Sequence, residues 1–310
     1  MIITADKNQQ SDSAYHTLVK HIPTNYTIVM VNWAENFVFN DRLNELKEYV
    51  LICFCEYGWS YNITESHIWG LNTKKDGYGD GRYAGGEWQK FDNWVKNNPP
   101  KVFFKRELLK KDVTDKIKPI EYPCVVNQYE IDVEEVFNSR PINVFQYWGR
   151  SNECRLKIHS EIWMHAFKKG FQPCDNLYYI SDYLKNEQGE KWITLWIPHW
   201  ARVEINNLLT INSYSKLSLS WPGAGFKCFR TSEAPVNSVL VMHKNEFAWA
   251  YDWNESNCIL VEPNKEIEGI ELALKNKDLY NIYKNGVENV KKYRLDNYIN
   301  NYILPIINSL

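Results

Sequence analysis

Short apolar, often β-branched runs recur along the chain, separated by stretches with helical spacing. Ile2 to Ala5, Tyr26 to Val31 and Tyr49 to Cys55 read as strands. Between them lie a helix over Ala14 to His21 and a helical pattern from Asp41, with Leu43, Leu46 and Val50 apolar. Glu87 to Lys96 reads as a helix stopped by Asn97-Asn98-Pro99-Pro100, and Val102 to Phe104 as a short strand. Pro119 to Pro123 is extended, and Cys124 to Val126 reads as a further strand. A second series follows. Its strands are Ile142 to Tyr147, Leu177 to Ser181, Trp192 to Ile197, Leu217 to Trp221, Ser238 to Met242 and Cys258 to Val261, with helices over Arg155 to Lys169 and Ala201 to Ile211. Helical stretches near Ile267 to Leu274, Leu279 to Tyr293 and Leu295 to Ile307 close the chain. This alternation predicts an α/β protein with parallel sheets. Asn138-Ser139-Arg140-Pro141 is the best break, giving units 1–140 and 141–310.

Chemistry gathers where one strand of the second unit ends. After Leu217 to Trp221 come Pro222-Gly223-Ala224-Gly225, then Phe226-Lys227-Cys228-Phe229-Arg230 and Thr231-Ser232-Glu233-Ala234. Gly223 and Gly225 let backbone approach a ligand closely. A helix beginning near Phe226 would aim free N–H groups and its positive end at the turn, an arrangement that suits a phosphate. Lys227 and Arg230, on one face of that helix, would add positive charge, and Glu233 could accept from the two hydroxyls of a ribose. The same residues also fit an ordinary strand–turn–helix with solvated charges. Open α/β sheets bind ligands at strand ends of this kind.

Gly223, Gly225, Lys227, Arg230, Glu233, Ala234 and Val239-Leu240-Val241 resemble the nucleotide-sugar half of GT-B glycosyltransferases, especially the exostosin-like and group-1-like families. Those carry a glycine turn, a basic residue, R-x-x-E-A and a hydrophobic strand. Here Asn237-Ser238 replaces the glycine usual before that strand. The resemblance covers roughly the second half of the chain. It implies two Rossmann-like domains facing a cleft, with the C-terminal helix crossing back to the first. Lys227 and Arg230 would meet the donor diphosphate, and Glu233 its ribose. Gly149 and Arg150, at the end of the strand Ile142 to Tyr147, resemble the first donor loop, which also approaches the diphosphate. The implied activity is a metal-independent hexosyl or pentosyl transfer to an acceptor hydroxyl, with a nucleoside-diphosphate sugar as donor and no cofactor. The acceptor would be a glycan, a protein or a modified DNA base, the last implying a viral or phage-type enzyme. A non-catalytic module that binds nucleotide sugars is the alternative from another class.

In the first unit, Glu56 follows the strand Tyr49 to Cys55 beside Tyr57 and Trp59, and is the candidate general base. Asp76 to Gly86 is glycine-rich without a preceding strand and reads as a surface loop or lid. Lys105-Arg106 and Lys110-Lys111 read as solvated charge, since no glycine turn accompanies them. His159 and His165 lie six apart on one helix and lack the spacing of a metal pair. A net charge of −2 gives no global pull toward nucleic acid or anionic membrane. Seven cysteines without a C-x-x-C pair suggest reduced thiols and a cytoplasmic location, that of the host if the protein is viral. The first residues turn polar too soon for a signal peptide, and no apolar run is long enough to span a membrane. D-x-D, P-loop, G-x-S-x-G and zinc-spacing motifs are all missing.

Overall fold

A computed structural model describes residues 1–4, 14–31, 39–54, 86–124, 126, 131–149, 153–169, 191–197, 205–221, 227 and 229–310. Two five-stranded parallel sheets organise them. The first holds β1 (Ile2–Thr4), β2 (Thr27–Val31), β3 (Tyr49–Cys53), β4 (Val102–Lys105) and β5 (Ile117–Pro119), side by side in chain order. The second holds β6 (Ile142–Gly149), β7 (Lys191–Ile197), β8 (Ser215–Ser220), β9 (Val239–His243) and β10 (Ile259–Val261), in the order β10-β9-β8-β6-β7. Leu217 pairs with Val239 and Leu219 with Val241, so the two strands on either side of the glycine-containing segment are parallel neighbours.

Both faces of each sheet are buried, as parallel sheets require. In the first, Val29, Val31, Leu51, Cys53 and Phe103 pack on Phe91, Trp94 and Val95 of α2 (Gly86–Asn97). Their alternate neighbours Ile28, Met30, Val50, Ile52 and Phe104 share a core with Leu18 and Val19 of α1 (Ala14–Lys20). That core also takes in Ile299, Ile303 and Ile307 from the end of the chain, and Leu240 and Met242 of β9. One core therefore serves both sheets. The opposite face of the second sheet packs on α4 (Glu153–Lys168), which α3 (Glu134–Asn138) precedes in the chain. It also packs on two helices that follow α5 (Ile205–Ser213) and α6 (Phe229–Glu233), namely α7 (Glu266–Leu274) and α8 (Leu279–Lys291).

The chain ends in a run of helix: Leu295–Tyr298, a π-helical stretch Ile299–Ile303, then Leu304–Asn308. This run lies on the first sheet. Tyr302 donates to the Pro119 carbonyl at 2.9 Å, and Cys124 forms a single bridge with Arg294. Among the described residues Cys124 forms an isolated bridge and not a strand. The strand lies instead at Ile117–Pro119, where proline needs to donate no ladder bond at the last position. The pattern from Asp41 yields only a 3-10 turn, Asp41–Glu45, capped by Asn40. Val50 belongs to β3, and its apolar side chain faces the shared core rather than a helix. The expected strand Leu177 to Ser181 lies outside the described residues. No helix among the described residues is long and apolar enough to cross a membrane.

Candidate functional site

The second sheet changes direction beside β6. The chain passes from β6 to β7 on one side, then returns to place β8 on the other. Such a switch point leaves a crevice at the C-terminal ends of the two strands that flank it, here β6 and β8. Gly149 is the last residue of β6, and Ser220 the last of β8. The α6 residues Arg230 and Glu233 lie against this crevice. The Arg230 guanidinium stacks 4.0 Å from the ring centre of Tyr147 on β6, and its Nη1 lies 3.1 Å from Glu233 Oε2. Both side chains are mostly but not wholly buried. Ser220 and Thr231 hydroxyls, 3.2 Å apart, hold α6 to the end of β8.

The segments that leave β4 and β5 meet those that leave β8 and β9. Lys110 donates its backbone N–H to the Glu246 carbonyl, and Ala248 to the Leu108 carbonyl, each at 2.8 Å. Beneath this seam is a buried cluster of charge. Lys227 Nζ donates to Glu121 Oε1 at 2.5 Å and to the Ala248 carbonyl, and its backbone N–H donates to Glu107 Oε1 at 2.9 Å. The ammonium also sits 4.7 Å from the Trp249 ring centre. Burial pushes the Lys227 ammonium below its ordinary pKa, opposed by Glu121, and pushes the Glu107 carboxyl up, opposed by Arg106 and Lys227. A small pocket opens beside the cluster, lined by Glu121, Lys227, Thr231, Ser232, Trp249 and Trp253 among others.

Several expectations change here. Lys105 and Arg106 are 1% and 2% exposed, so they are not solvated surface charge. Arg106 lies 5.0 Å from the Tyr122 ring centre, donates to the Tyr122 hydroxyl and approaches Glu107 Oε1 at 3.5 Å. The helix starts at Phe229, not near Phe226, because the Lys227 N–H is given to Glu107 and the residue sits in a bend ahead of it. Lys227 and Arg230 therefore do not share a helix face. Glu107 and Glu121 were not singled out by the sequence, since neither lies in a motif or a periodic run. Glu56, Arg150, Gly223, Gly225 and Phe226 lie outside the described residues. His165 bonds Glu271 at 2.9 Å and His159 approaches Gln146 at 3.3 Å. Among the described residues no group of three His, Cys, Asp or Glu is placed to hold a metal ion.

The same two-sheet arrangement recurs in solved structures. HepE (Alr3699) of Anabaena, solved with UDP, aligns over 100% of both chains at 11% identity, with a TM-score of 0.54. This chain has the GT-B fold. Weaker GT-B likenesses include an alpha-glucosyltransferase solved with UDP-glucose and abasic-site DNA. It matches at 11% identity over 94% of this chain and 86% of its own, with a TM-score of 0.41. TarM matches at 12% identity and a TM-score of 0.48 over 95% of this chain, which spans 57% of TarM. No protein-family model matches the chain, and no curated protein matches its sequence.

Proposed function

We propose that this chain is a glycosyltransferase that moves a sugar from a nucleoside-diphosphate donor to an acceptor hydroxyl. The observation that carries the proposal is the crevice between β6 and β8, where Arg230, stacked on Tyr147, lies beside Glu233. Residues 141–310 would form the donor side and residues 1–140 the acceptor side, with the C-terminal helical run crossing back onto the first sheet. The GT-B fold supports this reading, and the UDP in HepE favours a uridine nucleotide. Gly149, Arg150, Gly223, Gly225 and Phe226 would bring backbone and charge to the diphosphate, and Lys227 fixes the end of that turn. Arg230 would pair with phosphate oxygens, and Glu233 would accept from the ribose. Cationic and N–H donors placed before the reaction stabilise charge that grows on the leaving phosphate, without reorganising as the bond breaks. The base in an inverting transfer would come from the acceptor side, with Glu56 as candidate. Cys53, Cys124 and Cys258 are buried, and a reducing, cytoplasmic setting would suit them.

The test is a thermal-shift screen against nucleoside-diphosphate sugars, followed by turnover assays with glycan, protein and modified-DNA acceptors. A ligand at about 100 times its dissociation constant stabilises by about 2.7 kcal/mol, which such a screen detects. A donor that stabilises and is consumed supports the proposal. A donor that stabilises without turnover on any acceptor marks a binding module, and no shift with any donor removes the reading.

A further inference from the structure

We infer that Lys227 is a tie between the two halves of the molecule, with Glu121 as its partner, and is not itself a ligand of a diphosphate. The clause on the diphosphate rests on the donor-site reading above; the tie does not. An ammonium has three donors. Glu121 Oε1, 2.5 Å away, takes one, the Ala248 carbonyl takes a second, and the Trp249 ring covers the ammonium at 4.7 Å. The side chain is 1% exposed. Its backbone is held as well, through Glu107 Oε1 at 2.9 Å. Residue 227 is thus gripped at main chain and side chain by two carboxylates, one just past β4 and one just past β5.

Glu121 is equally committed. Besides Lys227 it accepts from the Ala250 N–H at 3.2 Å and from the Tyr298 hydroxyl at 3.0 Å. A phosphate could take the ammonium only by stripping it from this carboxylate, leaving a buried anion without its cation. Arg230 faces no such cost, since its partner Glu233 lies with it at the crevice and both are partly open. Lys227 stands three residues before Arg230, so the tie lets the first sheet set where Arg230 lies. Lys227 and Glu121 are then positioning residues for donor binding.

The experiment is a double-mutant cycle with Lys227→Met, Glu121→Gln and the double variant, read in two ways. Urea unfolding reports the tie. Isothermal titration with uridine diphosphate and with uridine reports the role in binding. The tie predicts that both single variants lower the unfolding midpoint and that the double variant falls no further than the worse single. It also predicts that both singles weaken uridine diphosphate in the same direction and by similar factors. A phosphate-ligand lysine predicts a different result. Lys227→Met would then lose about tenfold or more for the diphosphate alone, while Glu121→Gln, by freeing the ammonium, would keep or gain affinity. That opposite pair of signs overturns the inference, as do additive unfolding effects. If wild type binds no nucleotide, the donor reading fails and the unfolding cycle alone decides the tie. Should Glu121→Gln not fold, Glu107→Gln replaces it, since it removes the other carboxylate that holds residue 227.

Discussion

Tyr298 and Glu121 hold each other twice. The tyrosine hydroxyl donates to Glu121 Oε2 at 3.0 Å and accepts from the Glu121 backbone N–H at 3.0 Å. The tyrosine is fully buried, and burial, reinforced by the Glu121 charge, keeps its hydroxyl protonated far above the ordinary range. This one hydroxyl fastens the C-terminal helical run to the segment that follows β5. Tyr298→Phe removes it and leaves a buried N–H unpaired. The expected loss is about 1.5–3 kcal/mol. Tyr302→Phe removes only the partly buried bond to Pro119, and the expected loss is about 1 kcal/mol. Urea unfolding of the two variants should rank them in that order, and the reverse order would show that the junction at Glu121 is not the stronger of the two.

A second buried pair predicts how stability depends on acid. His243 ends β9 and bonds Glu266, near the start of α7, at 2.6 Å. Burial opposes ionisation of Glu266, but hydrogen bonds from His243 and the Asn264 N–H outweigh it, and the carboxyl titrates below its ordinary 4.5. A depressed carboxyl pKa contributes stability above the unfolded value, and that contribution is lost as pH falls through the folded one. Wild type should therefore lose stability relative to Glu266→Gln as pH drops from about 6 to about 3. Glu271 also titrates low, so the informative quantity is the difference between the two proteins at each pH. A constant difference would mean that Glu266 contributes nothing to the acid response.

The fold was legible in the sequence where residue type alone settles the matter. Tyr49 to Cys53 is buried at every position, and an unbroken apolar run of that length has few other places to go. The parallel pairing of β8 with β9 followed from two such runs with a glycine turn and a short helix between them. Burial of charge was not legible. Lys105, Arg106 and Glu107 look like surface residues in one dimension, because what buries them comes from other segments: Arg106 bonds Tyr122, and Glu107 bonds Lys227. Glu121 sits between prolines in an extended stretch with no periodicity, and only its contacts mark it out. Lys227 was legible as a basic residue after a pair of glycines, but its bond to Glu121 was not.

Gly286 offers a test of packing against propensity. It lies within α8, where alanine is normally better by about 1 kcal/mol. A Cβ added there would stand 2.8 Å from the Asn257 carbonyl oxygen. That oxygen cannot swing away cheaply, since Asn257 is tied through its N–H to Asn254 and through Nδ2 to Asp252, each at 3.0 Å. Gly286→Ala should therefore destabilise by about 1–3 kcal/mol, the usual range for overpacking. A rise in the unfolding midpoint would show that α8 shifts freely against this loop.

Arg140 tests whether the break between the two halves is a passive linker. Its guanidinium donates to the Ser215 and Asn237 carbonyls at 2.7 and 2.5 Å and to Asp132 at 2.7 Å. It lies 4.8 Å from the centres of both the Phe137 and Tyr283 rings, which stack on each other. A linker residue would tolerate truncation. Removing this buried cation strands two carbonyls and an aspartate, so Arg140→Ala should lose about 3 kcal/mol or more in urea unfolding. A loss under about 0.5 kcal/mol, ordinary for a surface position, would make the segment a linker after all.

Arg230 and Glu233 decide the donor site. They pair at 3.1 Å beside the crevice, with the guanidinium stacked on Tyr147. If a nucleoside diphosphate binds there, Arg230 meets phosphate oxygens, and a guanidinium can do so through two parallel hydrogen bonds. Arg230→Ala should then weaken the diphosphate by about 1.5–3 kcal/mol and the bare nucleoside far less. Glu233→Ala should weaken both, because both keep the ribose. It should affect the diphosphate somewhat more, since Arg230 also loses the carboxylate that orients it. The competing account is a structural pair of partly exposed side chains, worth about 0–1 kcal/mol to stability and nothing to binding. Isothermal titration of each variant with nucleoside and nucleoside diphosphate separates the two accounts. The decisive pattern is the contrast between variants, selective loss in one and general loss in the other, because a change in folding alone would weaken every ligand alike. Unchanged affinity in both would leave the crevice without its cation and its ribose acceptor, and the donor-site assignment would fall.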